Sequence, residues 1–108
     1  MKTEYILCAA NKYDDGKKHL YTPTNVQRGF VICGMRHHNC IDIFAMIVGF
    51  PYNEEAARIK RTEIQGFLTN ANRFVDRKEA LKIATEAKQL LHEIKLDPNV
   101  GLTSEDLW

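Results

Sequence analysis

Residues 40–48 read Cys-Ile-Asp-Ile-Phe-Ala-Met-Ile-Val, and Asp42 is the only charged side chain among them. Wound as a helix, Ile41, Ile43, Phe44, Ala45, Met46, Ile47 and Val48 leave almost no polar face, so this segment demands burial in a core or against another subunit. Asn39 is placed to cap such a helix, with Asp42 near its positive end. Gly49 and Pro51 are placed to stop it. A chain of 108 residues builds one domain with a thin core, here taken as residues 1–108. The apolar helix therefore predicts a sheet beneath it, a second copy against it, or both.

The remaining pattern supplies the sheet. Residues 3–10 alternate as a strand, with Tyr5, Leu7 and Ala9 on one face and Ile6 and Cys8 on the other. Asp14-Asp15-Gly16 signals a turn. His19 to Thr22 reads as a short returning strand stopped by Pro23, and Gly29 to Met35 as a central strand rich in strand formers. Lys60 to Thr69 is another strand, in which Phe67 opposes the face of Ile64 and Leu68. Asp76 caps the second helix with Glu79 in the capping-box position, and Ala80, Ile83, Ala84, Ala87, Leu90, Leu91 and Ile94 follow at helical spacing until Asp97-Pro98. The expected fold class is α+β, a small antiparallel sheet packed by two helices.

Composition narrows the function. With 44% hydrophobic and 27% charged residues the chain is not of the disordered class. Its net charge of +1 argues against a dedicated duplex-nucleic-acid binder. No apolar run approaches the roughly 18 residues of a membrane span. Met1-Lys2-Thr3-Glu4-Tyr5 has no apolar signal segment, so the expected location is cytoplasmic. Cys8, Cys33 and Cys40 are then expected as thiols, without a disulfide framework.

The charge is patterned. Lys17, Lys18, Arg28 and Arg36 stand against Asp15 alone in residues 15–40, and Arg58, Lys60, Arg61, Arg73, Arg77 and Lys78 against Glu63 and Asp76 in 58–78. Arginines offer forked donors to phosphate, and aromatic rings stack on bases. Cys33, His37, His38 and Cys40 do not match a zinc spacing, and adjacent histidines point apart, so no metal is expected. A Cys33 or Cys40 nucleophile with His37 lacks a third group to orient it. Arg36, His37 and His38 at a strand-to-helix junction instead join a helix N-terminus that favours anions. Arg73 and Arg77 lie near the second helix start. Binding is the better-supported chemistry, with no cofactor.

Leu20-Tyr21-Thr22-Pro23-Thr24-Asn25-Val26-Gln27-Arg28-Gly29-Phe30, followed by Gly34-Met35-Arg36-His37-His38-Asn39-Cys40-Ile41, resembles the phage-encoded Thoeris anti-defence type-one family. So do Gln65-Gly66-Phe67-Leu68-Thr69-Asn70, Asn72-Arg73-Phe74-Val75-Asp76-Arg77-Lys78-Glu79-Ala80 and the segment Leu102-Thr103-Ser104-Glu105-Asp106-Leu107-Trp108. The resemblance implies a non-catalytic sponge in the infected bacterial cell. Such a protein sequesters cyclic ADP-ribose isomers, in some members also cyclic oligonucleotides, and so blocks Thoeris or CBASS-type immunity. It implies dimers that assemble into hexamers.

On this reading Arg28, Arg36, Arg73 and Arg77 meet the pyrophosphate. His37 stands beside them, Phe67 stacks on adenine or ribose, and Asn70 and Asn72 bond base or sugar edges. The alternatives are a small nucleotide-processing enzyme using His37 or His38 as general base, and a single-stranded nucleic-acid binder built on the same arginines and aromatics.

Overall fold

The computed structural model describes residues 3–91 and 101–108. Four strands, β1 (Ile6–Tyr13), β2 (Phe30–Gly34), β3 (Ile64–Thr69) and β4 (Phe74–Asp76), form one sheet in the order β2-β1-β3-β4. Every pairing is antiparallel. Three helices accompany it, α1 (His37–Val48), α2 (Glu54–Lys60) and α3 (Arg77–Glu86), with a 3-10 turn at Ser104–Asp106. The chain is of the α+β class.

Strand alternation divides the sheet into two faces. Ala9 opposes Phe67 and Phe67 opposes Val75, so these three share a face, on which Ala80, Ile83 and Ala84 of α3 close one core with Ile6, Leu102 and Leu107. Tyr13 lies on the same face, where Ile32 and the α1 residues Cys40 and Phe44 make a second core. The rings of Tyr13 and Phe44 stack at 4.3 Å between centroids. The opposite face carries Ala10 and Phe74 under Val26. A register shift between Ile6 and Cys8 lets both Ile6 and Ala9 reach the α3 core, which strict alternation forbids.

Several expectations from the sequence are corrected. β2 is an edge strand, and β1 and β3 are the central ones. His19 to Thr22 forms no strand and belongs to the loop between β1 and β2. That loop is held where the Gly29 N–H donates to Lys17 O at 2.9 Å, and it lays Val26 on the sheet. α1 starts before Asn39, with Arg36 as its cap residue, and Asn39 Oδ1 accepts the Arg36 N–H at 3.0 Å. α1 is buried only on its inner face, for Met46 and Ile47 remain 78% and 66% exposed.

The sequence reading did not include α2, although Asn53 caps it by accepting the Ala56 N–H at 2.7 Å. α3 starts as its capping box predicts, Asp76 Oδ1 accepting the Glu79 N–H at 2.8 Å. It stops at Glu86, short of the expected end, and Lys88 takes a left-handed conformation at φ 56°. Ile94 and Asp97-Pro98 lie outside the described residues. No helix among the described residues is long and apolar enough to cross a membrane.

One consequence of the topology positions the site. β2 ends at Gly34, opposite Ala9, and β4 ends at Asp76, opposite Gly66, itself opposite Ala10. α1 and α3 therefore start at neighbouring rungs of the sheet centre. α1 runs toward Tyr13 and α3 toward Ile6. Their N-termini face each other across the middle of one sheet face.

Candidate functional site

The eight residues expected to bind ligand fall into three places. At the centre, between the two helix starts, are Arg36, His37, Phe67 and Arg77. At the β3–β4 turn are Asn70, Asn72 and Arg73. Arg28 is exposed in the loop between β1 and β2.

The turn group is engaged internally. The Arg73 guanidinium donates to both carboxylate oxygens of Glu4 at 2.8 Å, and reaches Glu79 at 3.3 Å. Its forked hydrogen bonds hold the Glu4 carboxyl below the usual carboxylate range and raise the Arg73 pKa further. Asn70 Oδ1 accepts the Tyr5 N–H at 2.7 Å and its Nδ2 donates to Thr3 O at 3.1 Å. Asn72 sits in the turn at φ 57°, exposed, with its carbonyl accepting from Thr24. The Asn70 and Arg73 side chains fasten the segment before β1 to the hairpin, and the Asn72 backbone holds the β1–β2 loop.

Phe67 is likewise not a stacking surface. It is fully buried in the α3 core, with its ring edge-on to His37 at 5.1 Å. The expectation of partial exposure fails because Gln65, Phe67 and Thr69 point toward the helices, and the exposed member of the strand is Ile64.

The central group is different. His37, the first residue of α1, donates from Nε2 to Gly66 O at 2.8 Å. Burial pushes its pKa below the ordinary value, more than the Gly66 contact raises it, and the Arg77 charge pushes the same way. Arg77 Nη2 donates to Gln65 Oε1. Gln65 pairs across the strands with Asn11, which is fully buried. Arg77 Nε and Asn11 Oδ1 are buried and find no hydrogen-bond partner among the described residues. Arg36 donates to Trp108 O at 2.6 Å and to Ser104 Oγ at 3.4 Å, with the exposed Glu105 carboxylate 3.7 Å away. No acid stands in the first turn of α1, so its positive end is not neutralised from within the helix. α3 is capped by Asp76.

A polar chain continues from this seam. Asn11 Nδ2 donates to the Tyr13 hydroxyl at 3.4 Å, and that hydroxyl donates to Glu63 Oε2 at 2.6 Å. Lys60 Nζ pairs with the same Glu63 oxygen. Burial, then the Glu63 contact, raises the Tyr13 pKa, so the phenol stays protonated. Asn11, Glu63 and Gln65 were not singled out from the sequence.

The four residues weighed as zinc ligands are separated by the sheet: Cys33 is exposed, His37 and Cys40 are buried, and His38 faces outward. Among the described residues no group of three or more His, Cys, Asp or Glu side chains gathers to hold a metal.

Because His37 is depressed, the unfolded chain binds its proton more readily than the folded one. Its contribution is complete above the unfolded value near 6.5 and is lost as pH falls through the folded one. Glu4 and Glu63, also depressed, act only at lower pH, below the carboxylate value near 4.5. Melting temperature should therefore fall in wild type as pH drops below about 6.5, ahead of the carboxylate limb. In His37→Gln that slope should flatten while the steeper acid limb remains. An unchanged slope in the variant would assign it to another group.

An α+β domain with a polar seam between two helix starts is the class these features define. The model of the family described as Phage T4 y16D protein matches residues 5–108, and the chain belongs to that phage protein family. No curated protein and no solved structure matches the chain.

Proposed function

We propose that this phage protein is an anti-defence sponge that binds a cyclic ADP-ribose-type immune signal and withholds it from its effector without cleaving it. The observation that carries the reading is the Arg77 guanidinium. It is held by Gln65 at one end, and its buried Nε has no partner among the described residues, beside the positive end of α1. A pyrophosphate oxygen at that seam meets a forked cation and a helix dipole together.

Arg36 adds to the positive field there, and its neighbour Glu105, 74% exposed, is a weak competitor that a phosphate can displace. The reading narrows the binding set: Arg36, His37 and Arg77 remain at the centre, joined by Gln65 and Asn11. Arg73, Asn70 and Phe67 serve the fold. His37, hydrogen-bonded to Gly66 O and held neutral by burial, suits positioning better than proton transfer. The outward Met46, Ile47 and Phe50 support self-association, dimeric or larger, as the sponge reading expects.

Native mass spectrometry after incubation with a panel of cyclic ADP-ribose isomers and cyclic oligonucleotides reads assembly and bound mass at once. The expected result is an oligomer carrying an intact ligand that heating releases unchanged. A cleaved product would favour the enzyme alternative. Arg77→Ala should lower affinity by roughly 2–5 kcal/mol in calorimetry, as for a lost buried charge contact, while its melt stays near that of wild type. No binding by wild type would remove the ligand class, and equal binding by Arg77→Ala would remove this seam.

A second reading has one specific observation behind it. Tyr21 is 96% exposed in the same β1–β2 loop as the exposed Lys17, Lys18 and Arg28, a composition suited to stacking on single-stranded nucleic acid. Binding that strengthens with oligonucleotide length, falls steeply with salt, and is lost in Tyr21→Ala would favour it.

A further inference from the structure

Residues 101–108 bridge the two helix starts, and a different kind of contact holds each end. At the Arg77 end the grip is backbone. The Leu102 N–H donates to Arg77 O at 2.9 Å. Gly101 adopts φ +77° and lies so close to the same residue that an added Cβ would stand 2.7 Å from Arg77 C and O. Leu102 is fully buried in the α3 core.

At the other end the grip is one side chain. Arg36, the cap residue of α1, donates from Nη2 to Trp108 O at 2.6 Å and from Nη1 to Ser104 Oγ at 3.4 Å. Glu105 Oε1 lies 3.7 Å from Nη1. Between the two ends the segment is fastened to itself. The Thr103 N–H and hydroxyl both donate to Asp106 Oδ2, at 2.8 and 3.0 Å, so the turn Ser104–Asp106 moves as a unit. Its remaining ties are Leu107, packed in the α3 core, and Asp106 O, which accepts the Leu91 N–H at 2.9 Å.

On the reading of the seam as an anion site, we propose that residues 101–108 are a strap over it, hinged at Leu102 and latched by Arg36, and that a pyrophosphate-bearing anion entering between the helix starts opens the latch by drawing the Arg36 guanidinium away from Trp108 O and Ser104 Oγ.

The geometry of the guanidinium favours the exchange. Its two Nη groups reach two different residues, one of them at the long distance of 3.4 Å, so the fork is not met in parallel. A phosphate offers two oxygens to that fork at once, and charge-assisted pairs of this kind are the strong ones. The first turn of α1 carries no acid, which favours the incoming charge further. A ligand that binds more tightly once Arg36 is released shifts the strap toward release by that difference in affinity. The hinge has no such exchange open to it, because Gly101 and Leu102 are held through backbone and core.

Trp108 is the sole tryptophan, so its fluorescence reads the latch directly. The test follows acrylamide quenching of Trp108 and hydrogen exchange of the Leu91 and Leu102 amides, with inorganic pyrophosphate as the probe and its binding read by calorimetry. Pyrophosphate should roughly double the quenching of wild type and speed exchange at Leu91, while Leu102 stays protected. Potassium chloride at matched ionic strength should do neither. Arg36→Gln should show the raised quenching without anion, keep Leu102 protected, and gain nothing from pyrophosphate. If that variant does not fold, the wild-type arm decides alone. Bound pyrophosphate with Trp108 and Leu91 unmoved would overturn the latch and leave the seam standing. Trp108 as shielded in Arg36→Gln as in wild type would do the same. Release of Leu91 and Leu102 together would remove the hinge. No binding of pyrophosphate by wild type would remove the anion seam, and the strap proposal with it.

Discussion

Phe67→Ala is expected to lose about 3–5 kcal/mol of stability, the usual cost of emptying a buried aromatic site. The side chain is fully buried, opposed by Ala9 and Val75 on neighbouring strands and packed under Ala80 and Ala84 of α3. The small residues around it cannot swing in to fill the void, because alanine has no rotamer to change. The ring also meets His37 edge-on at 5.1 Å, so its loss loosens the start of α1. At about 4–8 °C per kcal/mol for a domain of this size, the melt should fall by well over 10 °C. Phe67→Leu, nearer in volume, should cost less than half as much. A ligand-stacking Phe67 predicts the reverse pattern: lost affinity and an unmoved melt. That result would put the ring in a binding cleft and refute its place in the core.

The capped or strongly patterned segments were the legible ones. Asp76 with Glu79, followed by Ala80, Ile83 and Ala84, carries helix information within a few residues, and α3 begins where that signal places it. The strands Gly29–Met35 and Lys60–Thr69 contain β2 and β3 because β-branched and aromatic residues cluster there. Strand order is a different matter. Nothing local tells Gly29–Met35 that it lies at an edge, since that depends on where residues distant in sequence pair.

The site was half legible for the same reason. Arg36, His37 and Arg77 were found because they sit at helix starts, which sequence marks. Their convergence depends on both helices leaving the sheet at neighbouring rungs. Asn11 was missed because the first strand was ended at Ala10. Carried to Tyr13, the alternation Ala9, Asn11, Tyr13 places an amide at a core position, a signal of a buried polar network. Arg73 misled because its partner, Glu4, lies 69 residues away. A basic residue in a charge-rich stretch does not reveal that a distant carboxylate already holds its fork. Asn53, Glu54 and Glu55, with Arg58 and Lys60 in the last turn, did carry a helix signal for α2, but only seven residues long.

Gly66→Ala should be at least as damaging as the loss of Phe67, for a reason that involves no special backbone angle. A Cβ added at Gly66 would lie 2.1 Å from Val75 O and 2.8 Å from the Phe74 ring. Val75 O is backbone in the adjoining strand, so it cannot step aside as a side-chain tip would. Relief requires β4 to part from β3 at the rung where Gly66 opposes Asp76, the residue that caps α3. It also shifts Gly66 O, the acceptor for His37 at the start of α1. One methyl group thus disturbs both helix starts and the seam between them, and a loss of about 3 kcal/mol or more is expected. Gly16 is the control. It adopts φ +77° with nothing within 4 Å of an added Cβ, so Gly16→Ala should cost only about 1 kcal/mol, from backbone conformation alone. Chemical denaturation of both variants separates the two causes. Equal midpoints for Gly66→Ala and Gly16→Ala would mean that β3 and β4 do not approach as closely as described, and the convergence of α1 and α3 on that rung would fall with it.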